Sequence, residues 1–112
     1  GVLAGKAEFK DGKMNGASKI YYPNGKLASE ATFKDNIQVG VQKDYYENGK
    51  VKYEFSYNNG QMDGVAKEYY PSGKIKIEEP YKNGQIDGVA KAYDESGKVI
   101  QQATFKNGEQ VK

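Results

Sequence analysis

Apolar and polar residues alternate along most of the chain with the two-residue period of a β-strand. The alternating segments are rich in Tyr, Val, Ile, Phe and Thr, which favour extended structure. No segment repeats its apolar residues at the spacing of an amphipathic helix. The pattern therefore predicts an all-β protein built from short strands.

Two kinds of turn signal separate these segments, and both predict hairpins. The first kind is a three-residue segment that ends in glycine, at residues 23–25, 47–49, 71–73 and 95–97. The second kind is a pair of residues rich in Asp, Asn and Gly, at residues 11–12, 35–36, 59–60, 83–84 and 107–108. Such residues tolerate the left-handed backbone that tight turns require. Each pair of neighbouring segments is therefore expected to form antiparallel strands.

The turn signals belong to a tandem repeat of about 24 residues. Complete units occupy residues 16–39, 40–63, 64–87 and 88–111, and residues 1–15 form part of one more unit. In this partial unit Gly1, Leu3, Phe9 and Gly12 fall on the columns of the complete repeats. We interpret residues 1–112 as a single repeat domain that opens part-way through a unit.

Tandem hairpins predict an elongated, single-layer antiparallel β-meander in which each hairpin contacts only its neighbours, as in a solenoid. A single layer cannot enclose a core between two sheets. Its first and last strands leave unpaired backbone groups at the sheet edges. Self-association through these edges is a further expectation.

The register of each hairpin decides which side chains share a face. A three-residue loop places Tyr21 opposite Leu27, whereas a two-residue loop would place Lys43 opposite Glu54. We expect the first register, because burying several apolar side chains at about 1.5–3 kcal/mol each outweighs exposed ion pairs of about 0–1 kcal/mol. One face of the second repeat then carries Val41, Lys43, Tyr45, Val51, Tyr53, Phe55 and Tyr57. The other face carries Gln42, Asp44, Tyr46, Lys50, Lys52, Glu54 and Ser56.

Composition argues against the common kinds of catalytic and metal site. The chain has no Cys, His, Trp or Arg, all 17 basic residues are Lys, and the formal net charge is +2. Without Cys and His there is no thiol or imidazole base, and the Asp- and Asn-rich turns lack the ligand spacing of a calcium loop. We therefore expect no enzyme activity, no cofactor and no metal. The small net charge also argues against a nucleic-acid partner.

The motif Tyr-Tyr-Pro-Asn-Gly-Lys-Leu at residues 21–27, followed by an aromatic-lysine-x-glycine segment, resembles the bacterial variant of the MORN (membrane occupation and recognition nexus) repeat. It also resembles the YwqK-type antitoxin family, which uses the same repeat. The likeness covers essentially the whole chain and implies a MORN-like solenoid that acts as a binding or scaffold module. It favours a secreted or membrane-associated location in a bacterium over a cytoplasmic one.

Two columns of the repeat are candidate binding residues. Tyr22, Tyr46 and Tyr70 are placed on the polar face, where the fold needs no large ring, so we expect them to contact a protein partner and to be dispensable for stability. A lysine column lies on the other face, with Glu79 as the only acid expected beside it. That column could hold an anionic ligand and comprises Lys19, Lys43, Lys67 and Lys91.

These features support three functional interpretations. The first is a non-catalytic protein-interaction or scaffold module that binds a protein partner through its sheet surface. The second is a peripheral membrane module that binds anionic lipid through the lysine column. The third is an antitoxin-like protein that neutralises a partner toxin by binding it.

Overall fold

The computed structural model describes residues 4–111. All the regular secondary structure in this range is β-strand. Gly1 and Leu3, which the sequence assigns to the partial repeat, lie outside these residues. The strands are β1 (Ala4–Lys10), β2 (Lys13–Tyr21), β3 (Leu27–Lys34), β4 (Ile37–Tyr45), β5 (Val51–Asn58), β6 (Gln61–Met62), β7 (Gly64–Tyr69), β8 (Ile75–Lys82), β9 (Gln85–Ile86), β10 (Gly88–Tyr93), β11 (Val99–Lys106) and β12 (Glu109–Val111).

The strands form one open antiparallel sheet in meander order. The path runs β1-β2-β3-β4-β5-β7-β8-β10-β11-β12, and the short strands β6 and β9 pair with β5 and β8. Within residues 4–111 only Ala28 and Ala66 are buried hydrophobic residues. The principal extents are 48 × 31 × 18 Å. The predicted all-β, single-layer meander of tandem hairpins is confirmed.

The two-residue turns have a left-handed backbone at both positions. Asp11 and Gly12 have φ of 52° and 80°, and the other turns of this kind follow the same pattern. In the second of these turns Asn36 stands where the others have glycine, with φ of 68°. Its side-chain Oδ1 accepts a hydrogen bond of 2.8 Å from the backbone N–H of Met14. Asparagine therefore fits the left-handed position and also links two repeats.

The three-residue turns close as the sequence predicts. The backbone N–H of Tyr22 donates to the carbonyl of Lys26 at 2.8 Å, and the N–H of Gly25 donates to the carbonyl of Tyr22 at 2.8 Å. Gly25 has φ of 87°, in the region that favours glycine. The next pair of the ladder joins Tyr21 to Leu27. This part of the predicted register is confirmed.

Beyond that pair the predicted register is wrong, because each returning strand contains a β-bulge. Tyr45 pairs with Val51 but Asp44 pairs with Tyr53, so Lys52 is an extra residue. The shift by one residue brings Lys43 opposite Glu54, the pairing that we had assigned to the alternative turn. Ala28, Lys76 and Ile100 are the extra residues of the other repeats.

The bulge redistributes the side chains between the faces, since a shift by one residue reverses the side of the sheet on which a residue lies. Tyr53, Phe55 and Tyr57 lie on the side of Gln42 and Asp44, not on the side of the lysine column. The expectation of one apolar and one polar face is therefore wrong. We call the side with the lysine column the ladder face and the side with Tyr53, Phe55 and Tyr57 the aromatic face.

Successive repeats are joined through their turns as well as through their strands. The N–H of Gly60 donates to the carbonyl of Gln38 at 2.9 Å, and equivalent bonds run from Gly84 to Met62 and from Gly108 to Ile86. At the other end of the strands, the Asn48 side chain donates to the carbonyl of Pro71 at 3.0 Å. Each repeat is thus held by its immediate neighbours, as in other solenoids.

The left-handed turn glycine gives a test of the turn geometry. Gly49 has φ of 89°, and among the described residues no atom lies within 4 Å of the position its Cβ would take. We expect Gly49→Val to lower the free energy of unfolding by about 1–3 kcal/mol through backbone strain alone. Because asparagine tolerates this conformation, Gly49→Asn should lower the free energy of unfolding much less. Thermal or denaturant unfolding measures both variants, and a valine variant as stable as the parent would contradict this turn geometry.

Candidate interaction surfaces

A row of alternating charges crosses the ladder face from strand to strand. Lys19 is paired with Glu30, Glu30 also with Lys43, and Lys43 also with Glu54. The row continues through Lys67, Glu78 and Lys91. Opposite charges directly across an antiparallel ladder stabilise it modestly. A column of three glutamates therefore lies between the four lysines, and of these pairs Lys43 and Glu54 lie within ion-pair distance.

A second row on the ladder face is hydrogen-bonded to those glutamates. The Tyr45 hydroxyl donates to Glu30 Oε1 at 2.6 Å, and the Tyr69 hydroxyl donates to Glu54 Oε1 at 3.2 Å. Burial, and then the hydrogen bond to Glu30, raise the pKa of Tyr45 to about 12. Burial and the nearby Glu54 charge also raise the pKa of Tyr69. Glu30 and Glu54 thus accept hydrogen bonds from tyrosines of the same sheet.

The tyrosine column at Tyr22, Tyr46 and Tyr70 connects neighbouring repeats. The Tyr46 hydroxyl donates to the carbonyl of Tyr69 at 2.6 Å, and the Tyr70 hydroxyl donates to the carbonyl of Tyr93 at 2.7 Å. The Tyr22 hydroxyl donates to the carbonyl of Tyr45 in the same way. All three side chains are half-buried. These hydrogen bonds argue against the expectation that the fold does not need the three rings, and their predicted contact with a partner stays a prediction.

The aromatic face has a ridge of rings on β5. The rings of Tyr53 and Phe55 stack with centroids 5.7 Å apart and an interplanar angle of 15°. The Lys52 ammonium lies 5.3 Å from the Tyr53 ring centroid and 5.7 Å from that of Tyr46, within the range of a cation–π contact. The bulge thus places a lysine beside aromatic rings at this end of the ridge.

A trough lies beside the ridge, where the later repeats carry small side chains. A hollow of about 220 Å³ is lined by Ile77, Glu79, Ala90, Lys91, Ala92, Gln101, Gln102, Ala103 and Phe105, of which Lys91 and Gln102 form a pair that belongs to the ladder face. A smaller hollow of about 60 Å³ shares Ile77 and Glu79 with it and reaches Tyr53 and Phe55. We call the two hollows together the alanine trough. The sequence did not reveal it, because the predicted register placed Phe55 on the opposite face.

The family model for the MORN repeat variant matches the chain at residues 14–35, 38–59, 62–83 and 86–107. The chain belongs to the MORN repeat variant family. Each matched segment begins two residues before one of the complete units that start at Gly16, Gly40, Gly64 and Gly88, so both divisions describe the same repeat. No curated protein matches the chain. MORN repeats are generally modules for interaction with proteins or membranes.

The charge pairs of these MORN repeats change the expectation for the lysine column. We expected Glu79 to be the only acid beside the lysines, but Glu79 pairs with Ala66 and lies on the aromatic face. The acids beside the lysines are Glu30, Glu54 and Glu78. Lys43 Nζ lies 3.9 Å from Glu54 Oε2. Anion binding by Lys19, Lys43, Lys67 and Lys91 stays a prediction, and the three glutamates between these lysines oppose it.

The MORN sheet has few groups for other chemistry in the part that the structure describes. No group of three Asp, Glu, His or Cys side chains there could hold a metal ion. In the same part, no helix is long and apolar enough to cross a membrane. The aromatic ridge and the alanine trough lie on one face of this part. The ladder face also has hollows, one of about 300 Å³ beside Glu30 and Lys43 and one of about 470 Å³ beside Glu78 and Tyr93.

The hydrogen bond of Tyr46 between MORN repeats predicts a loss of stability on mutation. Tyr46→Phe removes only the hydroxyl bond to Tyr69 and should lower the free energy of unfolding by about 1 kcal/mol. Tyr46→Ala also removes the half-buried ring and should cost about 2 kcal/mol. Urea unfolding would measure both, with Asn58→Ala at the exposed end of β5 as the control. If Tyr46→Ala were as stable as the parent, the Tyr46 ring would be dispensable for the fold after all.

The raised tyrosine pKa values predict alkaline destabilisation of the MORN sheet. Folding favours the neutral hydroxyl of Tyr45, whose pKa rises from 10.0 to about 12, so its contribution is complete below pH 10 and is lost as the pH rises through 12. We expect unfolding free energy to fall over that interval, and less so for Tyr45→Phe. Unfolding measured from pH 9 to pH 12 tests this, with Tyr21→Phe as control. Equal alkaline losses in the parent and Tyr45→Phe would contradict it.

Proposed function

We propose that this MORN domain is a non-catalytic scaffold that binds a protein partner across its aromatic face. The observation that supports this most is the alanine trough beside the stacked rings of Tyr53 and Phe55. Rigid rings next to a vacant apolar hollow provide the anchors and pockets that protein interfaces use. Membership of a family of interaction modules supports the same proposal.

The ladder face has less to offer a partner. Its lysines alternate with glutamates across the strands, Lys43 pairs with Glu54, and Tyr45 and Tyr69 donate their hydroxyls to Glu30 and Glu54. A ligand would have to break these contacts before making its own. The valines that flank the charge row are exposed, with Val65 and Val89 each at 43%. Val65 is paired with Pro80 and Val89 with the polar Thr104, so apolar side chains cover only part of this row.

The alternative functions differ in their partners. An antitoxin-like protein would use the same mechanism of binding and differ only in having a toxin as partner. An anionic-lipid module would need the lysine column to be free for phosphate groups, which the glutamate column opposes. Self-association through the sheet edges is a further prediction. All of these become outcomes of the binding experiment.

Two adjacent residues of β10 give a matched test. Ala90 lines the trough on the aromatic face, and Val89 lies on the ladder face. Ala90→Lys should fill the trough with a charged side chain and reduce partner binding at least about tenfold, whereas Val89→Lys should leave it nearly unchanged. Partners cross-linked to the wild-type domain would be purified and their affinity for each variant measured by calorimetry.

Two controls make this result decisive. Thermal unfolding must show that both lysine variants fold, and anionic vesicles in a flotation assay test the lipid alternative directly. Equal partner affinities for the two variants, or loss only in Val89→Lys, would overturn the proposal. Binding to anionic vesicles that disappears in Lys43→Gln would favour the membrane function instead.

A further inference from the structure

Glu79 is an acid in a row of small apolar side chains. On the aromatic face it is paired with Ala66, and it lines both hollows of the trough together with Ile77. Ala66 is only 4% exposed, and Glu79 itself is half-buried. Ala90 and Ala103, which pair with each other, continue the row on the far side. The carboxylate therefore stands on a largely apolar floor.

No cation lies within ion-pair distance of Glu79 anywhere in residues 4–111. The nearest acid on the same face differs in this respect, because Glu68 Oε2 lies 3.5 Å from Lys76 Nζ. The Glu79 charge also acts on its neighbour, since burial and then this charge hold the pKa of Tyr81 above its ordinary value. A half-buried carboxylate without a partner charge is free to form an ion pair with a bound cation.

The size of the trough limits which kind of cation could pair with Glu79. Its larger hollow of about 220 Å³ is smaller than the roughly 300–1,000 Å³ of a typical small-molecule pocket. It has the scale of one long side chain with a methylene stem. Lysine and arginine lay such stems along apolar surface while keeping the charged group at a polar site. Charge and shape together therefore favour a cationic side chain as the occupant.

We propose that the alanine trough receives a lysine or arginine side chain of a partner protein, which pairs with Glu79 while its stem lies on Ala90 and Ala103. This inference rests on the proposed protein-binding function and names the feature of the partner that is recognised. An apolar residue next to the basic one would contact the ring of Phe105, which lines the larger hollow. A charge-assisted contact in this setting is stronger than one made in open water.

A matched pair of peptides tests the proposal with the purified domain. The probe is the acetylated, amidated peptide Leu-Arg-Leu, and its control has citrulline, the uncharged analogue of arginine, at the centre. Binding is followed by methyl NMR of the alanines, with Ala90 and Ala103 as reporters. We expect the arginine peptide to shift these methyl signals saturably and to bind about tenfold more tightly than the citrulline peptide.

Two glutamine variants assign the effect to one carboxylate. The Glu79→Gln variant should bind the arginine peptide no more tightly than the citrulline peptide. The Glu54→Gln variant, changed on the ladder face, should still bind the arginine peptide more tightly than the citrulline peptide. Amide NMR spectra establish that both variants are folded. Equal affinities of the two peptides, no saturable shift with either, or an equal loss in both variants would overturn the inference.

The outcome also separates this inference from the proposed function. If the domain binds its partner protein, Ala90→Lys loses that binding and Glu79→Gln keeps it, the aromatic face is the docking surface and the basic side chain is not recognised there. If no partner binding depends on Ala90, the proposed function fails whatever the peptides do.

Discussion

The β-bulge that follows each three-residue turn is the constraint on which the rest of the sheet depends. The turn requires Tyr45 opposite Val51, and the charge row requires Lys43 opposite Glu54; a constant register cannot satisfy both. One extra residue, Lys52, reconciles them by shifting the returning strand by one position. Because the bulge recurs in every complete repeat, the same shift reaches the whole sheet. It places the alternating Lys–Glu row on one face and the aromatic ridge on the other.

A sheet with no second layer needs another source of stability, since within residues 4–111 only two alanines count as buried hydrophobic residues. Here the polar side chains provide much of it. The charge row and its tyrosine hydroxyls connect neighbouring strands on the ladder face. Tyr46 and Tyr70 connect each repeat to the next through a backbone carbonyl. Individually these contacts contribute about 1 kcal/mol each, and repetition along the solenoid is what makes them sufficient.

The aromatic face retains surface that is available for recognition. Polar side chains make contacts on both faces, as between Ser29 and Asp44 on this one, but the ridge of Tyr53 and Phe55 borders hollows that no side chain fills. The repeats are not equivalent there, because Ala92 and Ala103 stand where the second repeat has Asp44 and Phe55. The trough is consequently a local feature of the later repeats on an otherwise regular scaffold, which is how repeat proteins gain specificity without changing their fold.

The sequence by itself determined the all-β class, the tandem hairpins, the turn positions and the meander, since each follows from local signals such as the left-handed glycine of residue 25. It did not determine the register past each turn. A bulge at Lys52 has no composition of its own, because the gain that selects it lies in cross-strand pairs between residues far apart in the chain. Only the tertiary structure therefore decided that Tyr46 joins repeats, that the lysines face glutamates, and that Glu79 stands among alanines on the opposite face.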